Sequence, residues 1–106
     1  MRLNRKAPSD LGGLFAQYKN CVARYDFQGA VEALQRAHKL DPANDKILVD
    51  LGSACAKGYD FAAAQRWFDA AIRVSPTPVS ALNAVGHAWL EVRNFEAAQI
   101  CFERLV

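Results

Sequence analysis

The residues with side chains capable of chemistry are few, and their spacing is unlike that of a reactive site. His38 and His87 are the only histidines, and neither has a cysteine or carboxylate at metal-ligand spacing. The three cysteines form no CxxC motif and no cluster with a histidine. No glycine-rich phosphate loop or GxSxG motif is present. We therefore expect no enzymatic activity, no metal site and no cofactor, with His38 exposed near a helix end.

Three polar residues, Asp26, Asp60 and Asn94, each stand immediately before a phenylalanine and recur at one interval. The phenylalanines that follow them are 34 residues apart, as are the alanines three positions further on: Phe27, Phe61, Phe95, Ala30, Ala64 and Ala98. Each polar residue also precedes an apolar pattern with helical spacing. Their expected role is therefore to cap helices by accepting backbone N–H hydrogen bonds.

The charge distribution argues against a nucleic-acid surface. The 106 residues carry 13 basic and 11 acidic side chains, and the surplus lies in the first ten positions at Arg2, Arg5 and Lys6. The remainder is balanced, whereas binding to phosphates needs clustered basic residues. No run approaches the ~18–20 apolar residues of a membrane span, and no signal-peptide pattern is present. With an odd number of unclustered cysteines, we expect a cytoplasmic protein.

Helical spacing predicts three consecutive pairs of helices. The first pair is expected at 11–24 and from Phe27 to the proline at 42, because proline cannot continue a helix. The second is expected at 45–57 and 61–74, and the third at 79–92 and from Phe95 onward. Ser9 or Asp10 is expected to cap the first helix. Thr77 is expected to cap the fifth, with Pro78 at its first position.

The 34-residue unit resembles the tetratricopeptide repeat (TPR) family, whose helix–turn–helix repeat has the pattern W-x2-L-G-x2-Y, A-x3-F, P. The residues that match this pattern are Leu48, Leu51, Gly52, Cys55, Ala64, Phe68 and Pro76, then Leu82, Val85, Gly86, Trp89, Ala98 and Phe102. The resemblance implies an all-α, right-handed superhelical stack of antiparallel helix pairs. It implies a basic lead-in at 1–10 and a domain at 11–106, with repeats at 11–44, 45–78 and a truncated 79–106.

Several packing expectations follow from this resemblance. Gly52 and Gly86 should allow close approach to the second helix of each pair, with Phe68 and Phe102 filling the space beside that contact. The cysteines should be buried and unbridged, because neighbouring helix axes are ~8–10 Å apart.

The turn inside each repeat departs from the family pattern. Tyr25, Tyr59 and Arg93 stand where the family usually has glycine in the left-handed conformation. Gly58, one residue earlier, is a candidate for that role in the second repeat.

The resemblance also implies where a partner would bind, because the first helix of each TPR pair lines the inner wall of the stack. The predicted groove residues are Phe15, Lys19, Val22, Lys46, Val49, Ser53, Asn83, His87 and Leu90. An apolar stripe with polar neighbours suits an extended segment or an amphipathic helix of a protein. The alternative is that Phe15, Val22 and Leu90 only complete the packing between helices.

The predicted function is a non-catalytic scaffold for protein–protein interaction. Two alternatives remain open: an accessory TPR segment of a larger enzyme such as a transferase, or a module that self-associates. The last pair would expose Phe102 and Leu105, and an open apolar end favours contact with a second copy of the chain.

Overall fold

The computed structural model describes residues 10–105, and within this range the chain forms six α-helices and no β-strand. The first pair is α1 (Leu11–Ala23) and α2 (Phe27–Leu40). The second is α3 (Asp45–Lys57) and α4 (Phe61–Val74), and the third is α5 (Pro78–Glu91) and α6 (Phe95–Glu103). These boundaries agree with the predicted ones to within a residue or so wherever both ends were predicted. The basic lead-in predicted at 1–10 lies outside the described residues apart from Asp10.

Polar side chains define where most of the helices begin. The Oδ1 atoms of Asp26, Asp60 and Asn94 accept from the backbone N–H three residues later at 2.9, 3.1 and 3.1 Å. Asp10 caps α1 in the same way at 2.7 Å. The predicted capping role of these four residues is therefore confirmed. Each bond satisfies a donor that the first turn of a helix leaves free.

The start of α5 differs from the prediction. Thr77 occupies the N-cap position but its side chain makes no capping hydrogen bond. Its own N–H donates instead to Ser75 Oγ at 3.1 Å, so the polar side chain that orders this turn belongs to Ser75, which is buried. Pro78 is the first helical residue, as predicted, because that position needs no N–H donor.

Two glycines bring the paired helices into close contact. A Cβ added at Gly52 would lie 2.3–2.9 Å from three carbons of the Phe68 ring, and a Cβ added at Gly86 would lie 2.5–3.0 Å from three carbons of the Phe102 ring. Phe68 is fully buried. The glycines were predicted to face Ala64 and Ala98 with the phenylalanines beside them, whereas the nearest neighbours of each glycine are the carbons of the phenylalanine ring. This contact sets the separation of α3 from α4 and of α5 from α6.

The core has two clusters along the stack. The first joins the first helix pair to α3 and α4 around Leu14, Leu34 and Ile47, and the second joins α3 to the last three helices around Phe68 and Trp89. Three half-buried side chains contact both clusters: Val31, Val49 and Trp67. Each cluster therefore joins helices of more than one pair, as expected of a repeat stack.

Residues other than glycine carry the left-handed conformation in all three turns. Tyr25, Tyr59 and Arg93 have φ of 60°, 66° and 62°, whereas Gly58 has φ of −87°. Gly58 therefore does not take over this role, contrary to the possibility raised by the sequence. The next N–H after each left-handed residue donates five residues back, as in Asp60 N–H to Cys55 O at 2.9 Å. That bond completes a Schellman motif, which stabilises the turn despite the strain.

Replacing Tyr59 by glycine is expected to raise the free energy of unfolding by about 0.5–1 kcal/mol. A left-handed residue with a side chain costs ~1–2 kcal/mol, and the flexibility of glycine in the unfolded chain offsets part of the gain. Urea unfolding measures the change. Tyr59→Ala, which loses the ring but keeps the Cβ, should give no gain. Marked destabilisation by Gly58→Ala would contradict the assignment, because the nearest atoms to an added Cβ there are 3.6 Å away.

Candidate interaction surfaces

The inner face, formed by the exposed sides of α1, α3 and α5, contains the predicted groove residues. Phe15, Val22 and Val49 are half-buried and pack against the first core cluster. Lys19, Lys46 and Asn83 are exposed. The apolar members therefore contribute to packing between helices while keeping part of their surface accessible.

One cleft on this face lies between α3 and α5. Val49, Ala81 and Ala84 provide its apolar lining, while Lys46 and Asp50 supply charges. Lys46 and Val49 are the predicted groove residues that this cleft brings together. Its remaining walls come from the start of α3 and the turn before α5, at Asp45, Pro76, Thr77 and Ser80.

The other predicted groove residues do not share this cleft. Ser53 is only 8% exposed, and Ala56 in the same helix is fully buried. Their equivalents one repeat later, His87 and Leu90, are exposed, because α5 packs beside the middle pair whereas no described helix packs beside the last one. Leu90 borders a separate cleft with Phe95 and Phe102, and the His87 ring lies 5.6 Å from the Phe102 ring, edge to face.

Asp50 is the inner-face residue that the groove prediction missed. It is half-buried, and burial raises the pKa of its carboxyl to about 6, although the positive charges of Lys57 and Lys19 oppose that rise. Burial also raises the pKa of the Tyr18 hydroxyl to about 12, and the negative charges of Asp50 and Glu91 add to it. The sequence did carry a signal, since Asp50 interrupts the apolar run Ile47-Leu48-Val49 and Leu51.

His38 differs from its predicted exposure. It is half-buried, and its ring meets that of Trp67 edge to face with centroids 5.8 Å apart. Its Nδ1 is buried without a hydrogen-bond partner among the described residues. His38 therefore packs between the second helices of the first two pairs, α2 and α4.

The cysteines are buried free thiols, as the sequence predicted. The pKa of the Cys55 thiol and that of the Cys101 thiol are both raised, mainly by burial. Both thiols therefore stay protonated at neutral pH and are weak nucleophiles. Within residues 10–105, no three His, Cys, Asp or Glu side chains are grouped so that they could hold a metal ion. None of the helices in that range is both long and apolar enough to cross a membrane.

Comparison with known proteins identifies the type of repeat. Residues 22–86 match a family model described as tetratricopeptide repeat. No curated protein sequence gives a significant match. Among solved structures, one titled MamA AMB-1 superposes with a TM-score of 0.66 at 20% sequence identity, covering 93% of this chain and 54% of that one. This chain therefore spans about half the length of that protein, and at this identity the likeness shows a shared helical-repeat fold.

Replacing Asp50 by asparagine is expected to stabilise the protein at pH 7 and not at pH 3.5. A folded-state pKa raised from 3.8 to about 6 means that the stability the carboxyl contributes is fully present below pH 3.8 and lost as the pH rises through 6. Asparagine avoids the buried charge, and after solvent screening we expect a gain of about 1 kcal/mol at pH 7.

Urea unfolding of the Asp50→Asn protein at the two pH values measures this difference. Asp69→Asn, at an exposed carboxylate on α4, is the matched control. An equal gain in stability for Asp50→Asn at both pH values would contradict the prediction. It would show that the charged form of the Asp50 carboxyl carries no desolvation cost in the folded protein.

Proposed function

Because this chain belongs to the tetratricopeptide repeat family, whose repeats are generally protein-interaction modules, we propose that it is a non-catalytic scaffold. Its inner face binds a segment of a partner protein, extended or helical, along the cleft between α3 and α5. The burial of the three thiols and the placement of the two histidines on separate helices support a role without catalysis.

The observation that carries this proposal is the composition of the α3–α5 cleft. Val49, Ala81 and Ala84 offer an apolar lining to short side chains of a bound segment. Lys46 is exposed beside them, and Asp50 is a carboxylate kept half-buried in spite of the desolvation that raises its pKa to about 6. A basic residue of the partner next to Asp50 would offset that desolvation by a charge-assisted hydrogen bond.

The cleft assignment predicts a specific pattern of photo-crosslinking. A benzoyl-phenylalanine placed at Ala84, which is exposed in the cleft, should crosslink to a partner in the protein's own cells. The same residue at Ala62, exposed on α4, should not. The crosslinked segment, identified by mass spectrometry and synthesised, should bind the purified protein. Ala84→Lys, which offers Asp50 a cation from the chain itself and repels a basic residue of the partner, should weaken that binding at least about tenfold, or ~1.4 kcal/mol.

Ala62→Lys is the charge-matched control for that binding measurement, since it adds the same positive charge on α4. Ala84 is exposed, so the melting temperature of the cleft variant should not fall. Equal crosslinking at the two positions, or full binding by the cleft variant, would contradict the assignment of the partner site.

Self-association is a second candidate, and the end face of the last helix pair supports it. This face exposes Leu90 and Phe95 by 38% and 61%, and Phe102 borders the same cleft. One repeat earlier, the position equivalent to Leu90 is Ala56, which is fully buried beside the next pair. Within the chain, the equivalent face of the middle pair is thus covered by the last helix pair. In a dimer, a second copy of the chain would cover the end face of the last pair. The sequence placed this contact at Phe102 and Leu105, and both are half-buried.

Sedimentation equilibrium over a range of concentrations tests self-association. We expect a dimer that Phe95→Glu with Leu90→Glu converts to a monomer, because charges in an apolar contact cannot be desolvated without cost. Val79→Glu, at an exposed position in the first turn of α5, should leave the dimer intact. A monomer at every concentration would remove this candidate.

A further inference from the structure

The turns inside the three helix pairs, at residues 24–26, 58–60 and 92–94, form one edge of the stack, the turn edge. They border a common cleft of about 390 Å³ whose lining includes all three left-handed residues, Tyr25, Tyr59 and Arg93. Phe27 and the ends of α3 and α5 supply the rest of its lining, at Ala56, Lys57, Glu91 and Val92. None of these residues lines the α3–α5 cleft, so the two surfaces are separate.

Tyr25 and Tyr59 are unfavourable residues for the stability of their turns. A bulky side chain at φ near +60° is an outlier, and glycine adopts this conformation more easily. The two tyrosines are 81% and 83% exposed, so they bury little apolar surface in return for the strain. The stability of the fold therefore does not explain why tyrosine stands at this position in two of the three repeats.

Each of these tyrosines belongs to an aromatic pair that is repeated along the edge. The Tyr25 ring lies 6.3 Å from the Phe27 ring, and the Tyr59 ring lies 6.3 Å from the Phe61 ring. The phenylalanines are much less exposed than the tyrosines, so each one holds its tyrosine against the body of the stack. The first two turns thus present a ridge of exposed aromatic rings, with a hydroxyl group on each tyrosine.

The charges beside the tyrosines argue against a nucleic acid as the occupant of this ridge. An exposed aspartate, Asp26 or Asp60, follows each tyrosine. Sites for single-stranded nucleic acid combine their aromatic rings with a basic groove for the phosphates, which these carboxylates would repel. Exposed rings beside carboxylates suit an uncharged, apolar section of a polypeptide instead.

The third turn carries the opposite charge. Arg93 is exposed, and the residue that follows it is the uncharged Asn94. The lining of the cleft contains two basic side chains, Arg93 and Lys57, and one carboxylate, that of Glu91. An acidic residue of a partner therefore complements this end of the turn edge.

We propose that the turn edge binds a proline-rich segment of a partner protein, with prolines packed on Tyr25 and Tyr59 and an acidic residue beside Arg93. Grooves lined by aromatic side chains recognise polyproline II segments, whose free carbonyl groups can accept from tyrosine hydroxyls. A polyproline II helix repeats every three residues, or ~9 Å, which is close to the ~8–10 Å between packed helix axes. Successive turns of the segment can therefore meet successive turns of the stack.

Titration with an acetylated peptide of six prolines followed by two glutamates, monitored by 1H–15N correlation spectra, tests the site. We expect saturable shifts at the amides of 24–27, 58–61 and 92–94. A peptide in which alternating glycine and serine replace the prolines should give none.

Tyr59→Gly should weaken binding of the proline peptide at least about tenfold and raise the melting temperature, because it removes the ring and the strain together. The opposite signs of the two changes distinguish loss of a contact from partial unfolding. Ile100→Ala, which shortens an exposed apolar side chain of α6 away from the turn edge, is the control and should leave the affinity unchanged.

A second peptide, with two lysines in place of the glutamates, tests the charged end of the edge. It should bind the unaltered protein about threefold more weakly, as expected of an exposed ion pair. Arg93→Gly should bring the two peptides to the same affinity, because the charges of Lys57 and Glu91 then balance in the lining.

Full binding of the proline peptide by Tyr59→Gly would overturn the proposal, and so would the absence of saturable shifts. Shifts confined to α3 and α5 around Val49 and Ala84 would place the peptide in the inner-face cleft instead. Tighter binding of a single-stranded oligothymidylate than of the proline peptide would assign the ridge to a nucleic acid and overturn the proposal as well. Because the two surfaces share no lining residue, this proposal and that for the α3–α5 cleft can fail separately.

Discussion

The contact between a glycine on the first helix of a pair and a phenylalanine ring on the second determines the rest of this structure. Gly52 against Phe68, and Gly86 against Phe102, leave no room for even one methyl group. The helices of a pair are thereby held close, and their remaining apolar side chains project toward the neighbouring pairs. The two core clusters each join helices of more than one pair, so the α3–α5 cleft is defined by how the pairs stack and not by a single helix.

A second constraint acts in the turn, where one residue serves two helices. The N–H of Asp60 closes the end of α3 by donating to Cys55 O, while its carboxylate caps α4 through Ala63 N–H. Asp26 and Asn94 do the same in their repeats. These bonds are made only if the preceding residue is left-handed, which explains why Tyr25, Tyr59 and Arg93 tolerate a conformation that glycine adopts more easily.

The elements of the fold could be predicted because each depends on local chemistry. Capping residues, prolines and helical spacing gave the helix boundaries, and the 34-residue period gave the pairing. Features that depend on neighbouring pairs could not be obtained in this way. Ser53 and His87 occupy the same position in their repeats, yet one is buried and the other exposed, because only the first has a further pair packed beside it. The exposure predicted for His38 was wrong for a similar reason. The side chain that covers His38 is Trp67, which belongs to the next repeat.

Departures from the repeat are therefore the most informative residues about function. The backbone of each pair is nearly the same, so a side chain that differs from its equivalents changes the surface without changing the fold. Asp50 stands where the other two repeats have Ala16 and Ala84, and it places a half-buried charge in the inner cleft. Cys55 and Trp67 stand where the last repeat has Trp89 and Cys101, so each junction has one indole, supplied from opposite helices. At Asp50, packing alone favours alanine, because alanine would avoid the desolvated charge. A cation supplied by a partner would account for the carboxylate at this position.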